Sequence, residues 1–199
     1  MKSLFRFFSL AMIFLSLMAC SANQNESNDA ELMSTFDKDL DTYFGYMNNR
    51  DYENMLSMTN PKLFELVSKE TMVNMFKSLY ESGLEMRVED ITPVSLSQII
   101  REGNESYCKI KYQGILTMTL SQTLMANIEM FKTELYKTYK EENIEIDLDK
   151  NQIIIDADKF IIAMSQDQEN SWNYFELQDG QEEMLSRLIP SSVLSQFNN

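Results

Sequence analysis

Few side chains in this sequence are equipped for chemistry. There are two Cys, at 20 and 108, and no His. Without imidazole, Ser–His–Asp and Cys–His nucleophile activation, HExxH zinc sites and imidazole proton relays are excluded. Two cysteines also fall short of clustered-thiolate zinc, iron–sulfur and multi-disulfide frameworks. Cys108 alternates with Ile110, Tyr112 and Leu116 at strand spacing, which aims it inward as a small buried hydrophobe. With no His to generate a thiolate, it is not read as a nucleophile. Asp147, Asp149 and Asn151, with Asp158 further on, offer hard oxygen donors of the kind calcium takes. However, Gln152 stands where such a loop turns on Gly, and Asp158 replaces a longer bidentate Glu. A β-hairpin turning at Asp149-Lys150-Asn151 accounts for the same residues, so no metal and no cofactor are assigned. Asp156, Asp158 and Glu176 fall in strands, where either face is open to them. A strand acid more often faces solvent, so no residue is assigned a catalytic role.

Cys20 has a different use. Lys2 and Arg6 precede an apolar run from Phe7 to Leu17, which is shorter than the ~20 helical residues needed to cross a hydrocarbon core. It reads as a secretory signal rather than a membrane span. The run closes on Leu17-Met18-Ala19-Cys20, which resembles the bacterial lipobox. That resemblance implies cleavage between Ala19 and Cys20 and a diacylglyceryl thioether on the Cys20 sulfur. Residues 1–19 would then be the signal peptide, and 20–29 the lipidated Cys and a polar tether. Removing Lys2 and Arg6 would leave 15 basic against 31 acidic side chains and take the formal net charge from −14 to −16. Such an acidic body is repelled by nucleic acid and anionic head groups, so nucleic-acid binding is excluded. The expected partner is the membrane, through acyl chains each contributing about 0.8 kcal/mol per buried CH₂. The nine residues after Cys20, none of them large and apolar, would hold the domain roughly 15–18 Å from the lipid. Ser21 rather than Asp after the lipidated Cys resembles the outer-membrane sorting pattern, if the organism has such a membrane.

Residues 30–199 must then form one domain, a length suited to a single core. Leu32, Phe36, Leu40, Tyr43/Phe44 and Met47 recur at helical spacing and predict a helix over 30–47. Asn49 is the expected cap of a short helix carrying Tyr52, Met55 and Leu56. Asn60-Pro61 opens another short turn of helix, and Ser68 caps a helix ending at Gly83. The period then changes to two. Strands are expected over Leu84–Asp90, Val94–Ile99 and Ser106–Leu120, with a turn at Gly103-Asn104. In the last strand Cys108, Ile110, Tyr112, Gly114, Leu116, Met118 and Leu120 share one face; Tyr107, Lys109, Lys111, Gln113, Thr117 and Thr119 share the other. A long helical insertion at 122–142 and strands at 144–148, 152–166 and 171–177 follow. Asp179-Gly180-Gln181-Glu182 predicts a capping box for a C-terminal helix, and Pro190 separates that helix from a last turn at 191–197.

Helices followed by an antiparallel meander make an α+β domain. The order resembles the nuclear transport factor two-like (cystatin-like) roll, with N-terminal helices packed on a curved antiparallel sheet. Uncharacterised lipoproteins of the Bacteroidota type are similar, ending as here in a Trp-bearing strand (Ser171–Phe175) and a helix closing on Leu188-Ile189-Pro190. The resemblance implies a pocket between sheet and helices, which polyketide-cyclase-like isomerases use with Asp, Tyr or His. The function expected is a lipid-anchored, extracytoplasmic binding module for a small molecule, peptide or envelope protein. A cavity enzyme using Asp/Tyr and a structural subunit of an envelope assembly are the alternatives. A deep apolar cavity would favour the binding module, a buried acid with a raised pKa beside Tyr the enzyme, and a shallow, filled cavity with a large exposed apolar patch the structural subunit.

Overall fold

The computed structural model describes residues 28–176 and 182–197. Its first helix, α1, runs over 28–48. It therefore takes in Asn28 and Asp29, which the sequence assigned to the tether. Phe36, Leu40 and Phe44 recur every fourth residue and all three are buried, forming the stripe the spacing predicts. Asn48 ends α1 and uses its side-chain amide as a piece of strand, donating to Val88 O at 2.7 Å and accepting from Val88 N at 2.9 Å.

Short helices follow: α2 (Tyr52–Ser57), α3 (Leu63–Leu66) and α4 (Lys69–Glu81). The cap of α2 is Asp51, whose carboxylate accepts from Asn54 N at 3.3 Å. Asn49, the expected cap, instead donates its amide to Gly45 O at 2.9 Å. An Asn or Asp can serve either role, and the left-handed Arg50 (φ 61°) sets which one reaches the first free N–H. Ser68 does cap α4, accepting from Thr71 N at 3.1 Å. Gly83 terminates α4 with φ +93°, and a Cβ there would lie 2.5 Å from Ser121 Cβ. Position 83 therefore needs Gly for both conformation and space.

Among the described residues six antiparallel strands make the sheet: β1 (Leu84–Leu96), β2 (Ile100–Glu102), β3 (Glu105–Leu120), β4 (Ile144–Asp147), β5 (Gln152–Ser165) and β6 (Asn173–Glu176). Their order is β1-β3-β5-β4, with β2 also beside β3 and β6 also beside β5. The β3–β5 ladder is unbroken from Ser106 opposite Ser165 to Thr119 opposite Gln152. β1 is one strand where two were expected. It slips register between Glu89 and Thr92 and again between Pro93 and Ser95, with Asp90 at φ 53°. Such bulges bend a strand and increase its twist.

Helices cover both faces unequally. On the front, α1 packs Phe36, Leu40 and Phe44 onto Cys108, Ile110, Tyr112, Ile161 and Tyr174. The insertion after β3 covers the far end of the same face. It is not one helix over 122–142 but α5 (Gln122–Met125), α6 (Ile128–Thr138) and a 3₁₀ turn (Glu141–Asn143). The break falls at Asn127, a poor helix former whose side chain turns back to Thr123 O at 3.1 Å. None of the α6 residues is fully buried; Phe131 and Leu135 half-cover Met118, Leu120, Ile153 and Ile155. On the back, α3, α7 (Glu182–Leu188) and α8 (Ser191–Phe197) enclose Tyr107, Ile162, Met164 and Phe175. Tyr107 shares its face with Lys109, Lys111 and Gln113, yet it is completely buried, because α7 and α8 cover its end of the back face. Lys109 and Lys111, further along, stay partly exposed.

The architecture is thus α+β, with N-terminal helices on an open antiparallel sheet, consistent with a cystatin-like roll. Among the described residues no helix is long and apolar enough to cross a membrane. The proposed capping residues Asp179, Gly180 and Gln181, and the pair Ala19–Cys20, lie outside the described residues.

Candidate functional site

Strand pleat and register gather one polar cluster on the otherwise apolar front face. Tyr112 of β3 stands opposite Lys159 of β5, and Glu176 of β6 stands opposite Ile161, two residues along from Lys159. Alternation therefore puts Tyr112, Lys159 and Glu176 on one face. α1 brings Tyr43 over them. The segment linking α2 to α3 brings Thr59, tied to β6 by Tyr174 N donating to Met58 O at 2.8 Å and Asn60 N donating to Tyr174 O at 3.1 Å. Tyr139, at the end of α6, offers its ring to Lys159 Nζ at 4.6 Å.

The contacts inside this cluster are loose. Tyr112 Oη donates to Glu176 Oε1 at 3.4 Å, and Lys159 Nζ lies 3.9 Å from the same oxygen. The Thr59 hydroxyl is buried against the Tyr43 phenol, but it makes no hydrogen bond of acceptable geometry. Burial pushes the Glu176 carboxyl up from its ordinary range, only partly opposed by Lys159 and by the hydrogen bond from Tyr112. The Tyr43 phenol is pushed up to about 12 by burial and then by the Glu176 charge, with Thr59 acting the other way. Tyr112 is driven up further, again by burial first and Glu176 second. Both phenols are therefore neutral donors, and Glu176 is the group whose charge is least secure. Its side chain is 32% exposed and that of Lys159 11%, so the cluster meets solvent at β6.

The other sequence candidates are dispersed. Cys108 is buried and its thiol is pushed up to about 11 by burial; it fills core space, as expected. Asp147 accepts from Lys150 N at 3.0 Å and pairs with Lys150 Nζ at 2.9 Å. Asp149 and Asn151 lie in the hairpin turn, Asn151 at φ 54°. Asp158 pairs with Lys111 at 3.0 Å. Seven residues of strand at about 3.3 Å each separate it from Asn151 by roughly 23 Å, far beyond one coordination sphere. Among the described residues no group of three or more His, Cys, Asp or Glu is placed to hold a metal. Asp156 and Asp158 are exposed, and of the three strand acids only Glu176 turns inward. Lys159 was not anticipated, although the signal was present: it alternates with Ile161 and Ala163, placing a cation on an apolar strand face.

A second polar region lies at the end of the sheet nearest the start of α1. Two open grooves of about 840 and 590 Å³ meet at Arg101, Glu169 and Asn170. The groups on the ridge between them are mutually satisfied: Glu169 pairs with Arg101 at 2.7 Å and accepts from Ser106 Oγ at 2.9 Å. No family model, curated protein or solved structure matches the chain.

Proposed function

We propose that this is a lipid-anchored cell-envelope protein whose α+β domain is a non-catalytic binding module held beside the membrane. The observation that carries the reading is the Leu17-Met18-Ala19-Cys20 run closing a short apolar segment behind Lys2 and Arg6. A small residue and then Cys at that point is what lipid attachment to a sulfur requires. Acyl chains on Cys20 would anchor the body without a spanning helix, facing away from the cytoplasm and in the outer membrane if the organism has one. Growth of expressing cells on labelled palmitate tests this. The Cys20→Ser chain is expected to lose the label and move from the membrane to the soluble fraction; label and fractionation unchanged by that substitution would refute the anchor.

Binding is favoured over catalysis because the cluster offers no second group ready to exchange a proton near neutral pH: burial holds both phenols neutral. One observation favours the cavity-enzyme alternative: Glu176 is an acid with a raised pKa beside Tyr112. On that reading a bound substrate tightens the contacts, Glu176 is the proton carrier, and Glu176→Gln abolishes turnover.

A further inference from the structure

The rest of the domain does not hold all of the helices equally. α1 to α4, α7 and α8 each bury at least one side chain, from Phe36 of α1 and Leu63 of α3 to Val193 of α8. α5 and α6 bury none. Their inward residues Leu124, Met125, Ile128, Phe131 and Leu135 are only half-buried against Met118, Leu120, Ile153 and Ile155. The hydrogen bonds and ion pairs of this segment run within residues 122–143 or back to Ser121. Among the described residues, then, no hydrogen bond or ion pair joins residues 122–140 to the sheet. One ring contact does reach it, Tyr139 standing over Lys159 Nζ at 4.6 Å. The flanks, by contrast, are fixed: Ser121 N donates to Gly83 O at 2.8 Å, and Ile144 stands opposite Ile155 in the β4–β5 ladder.

We infer that residues 122–140 form a strap that lifts from the front face as one unit while the sheet and α1 stay folded. It turns about Ser121 at one end and the 3₁₀ turn at Glu141–Asn143 at the other. Lifting gives up the partial cover of four apolar side chains and keeps the strap's own hydrogen bonds, so it costs far less than unfolding the domain. α1 has no such freedom: Phe36, Leu40 and Phe44 are buried, and Asn48 and Asp39 are hydrogen-bonded to Val88 and Tyr174. Opening also withdraws the Tyr139 ring from Lys159. With the strap closed, the Lys159 side chain is 11% exposed and its ammonium lies 3.9 Å from Glu176; with it open, the ammonium meets water. The strap is therefore a gate on the Lys159 end of the polar cluster and on the apolar floor beside it. It belongs to the domain alone and does not depend on lipid at Cys20.

Native-state hydrogen exchange of the purified full-length chain, read by NMR, tests the strap. Amides of Lys132–Thr138 should exchange about a hundredfold faster than those of Cys108–Ile110 in β3, yet at least about tenfold slower than in an unfolded peptide. Ile110 packs in the core beneath α1, so Ile110→Val should speed exchange in β3 about fivefold and leave α6 unchanged. Phe131→Ala should speed α6 exchange about tenfold. Acetylation of Lys159 by an N-hydroxysuccinimide ester, followed by mass spectrometry, should rise by the same factor, while exposed Lys38 reacts equally in both chains. The near-ultraviolet spectrum of Trp172 checks folding; if Phe131→Ala is misfolded, the unsubstituted chain and Ile110→Val decide the matter. Exchange of α6 in step with β3 overturns the inference, as does an α6 with no protection at all. So does an Ile110→Val effect of equal size on both, or Lys159 acetylation unmoved in a folded Phe131→Ala chain. Loss of the palmitate label in Cys20→Ser bears only on the anchor.

Discussion

Gly114→Ala offers a sharp test of how the sheet is built. Gly114 lies on the front face of β3, opposite Ala157. The bulge in β1 carries Ile91 over it, so that a Cβ at position 114 would stand 2.6 Å from Ile91 Cδ1 and 3.2 Å from Glu89 O. The first contact must be relieved by turning the Ile91 side chain, at about 0.5–1.5 kcal/mol for an off-rotamer angle. The second pushes on backbone, so the full cost falls in the overpacking range of about 1–3 kcal/mol. Restricting the unfolded chain gives back roughly 0.4–1 kcal/mol, leaving a net loss of about 1–2 kcal/mol. Ile91→Val removes the offending Cδ1 and costs about 0.5–1.5 kcal/mol alone. In the double variant the two losses should fall short of their sum by about 1 kcal/mol. Urea denaturation of the four chains, with the m-values shown to be equal, measures this coupling. A stabilised Gly114→Ala chain, or strictly additive losses, would refute the argument that Ile91 occupies the space that Gly114 leaves open.

Three further outcomes are expected. Asn48→Ala removes both partners of the Val88 backbone groups and should cost about 1–3 kcal/mol in the same urea assay; a neutral result would mean that α1 is docked by its apolar stripe alone. In the Cys20→Ser chain, Cys108 should resist a thiol reagent at neutral pH and react only once urea unfolds the chain, because burial disfavours its thiolate. Glu176→Gln should stabilise the ligand-free protein at neutral pH, and the gain should vanish in acid. The sign follows from a folded pKa above the unfolded one: stability is lost as pH rises from the ordinary carboxyl range through the raised value. Thermal melts across pH, with a gain that fails to grow as pH rises, would refute it.

Much of the fold was legible because each element carries its own local signal. The stripe Phe36, Leu40 and Phe44 specifies which side of α1 is buried whatever it packs against, and Ser68 and Gly83 mark the ends of α4 through hydrogen bonding and φ. The alternation from Cys108 to Leu120 assigns the front face of β3 for the same reason. The break at Asn127 was missed because helical periodicity in Leu124, Ile128, Phe131 and Leu135 runs through it. The choice of Asp51 over Asn49 as a cap depended on one backbone angle at Arg50. Sequence composition alone settled which chemistries are closed, since a chain without His has no imidazole to use wherever it folds. What only the tertiary structure decided is partnership: that Tyr107 is covered by α7 and α8, that Asp158 pairs with Lys111 while Glu176 turns inward, and that Tyr43, Thr59, Tyr112, Lys159 and Glu176 meet. These residues span positions 43 to 176, and no local pattern encodes the register and helix docking that bring them together.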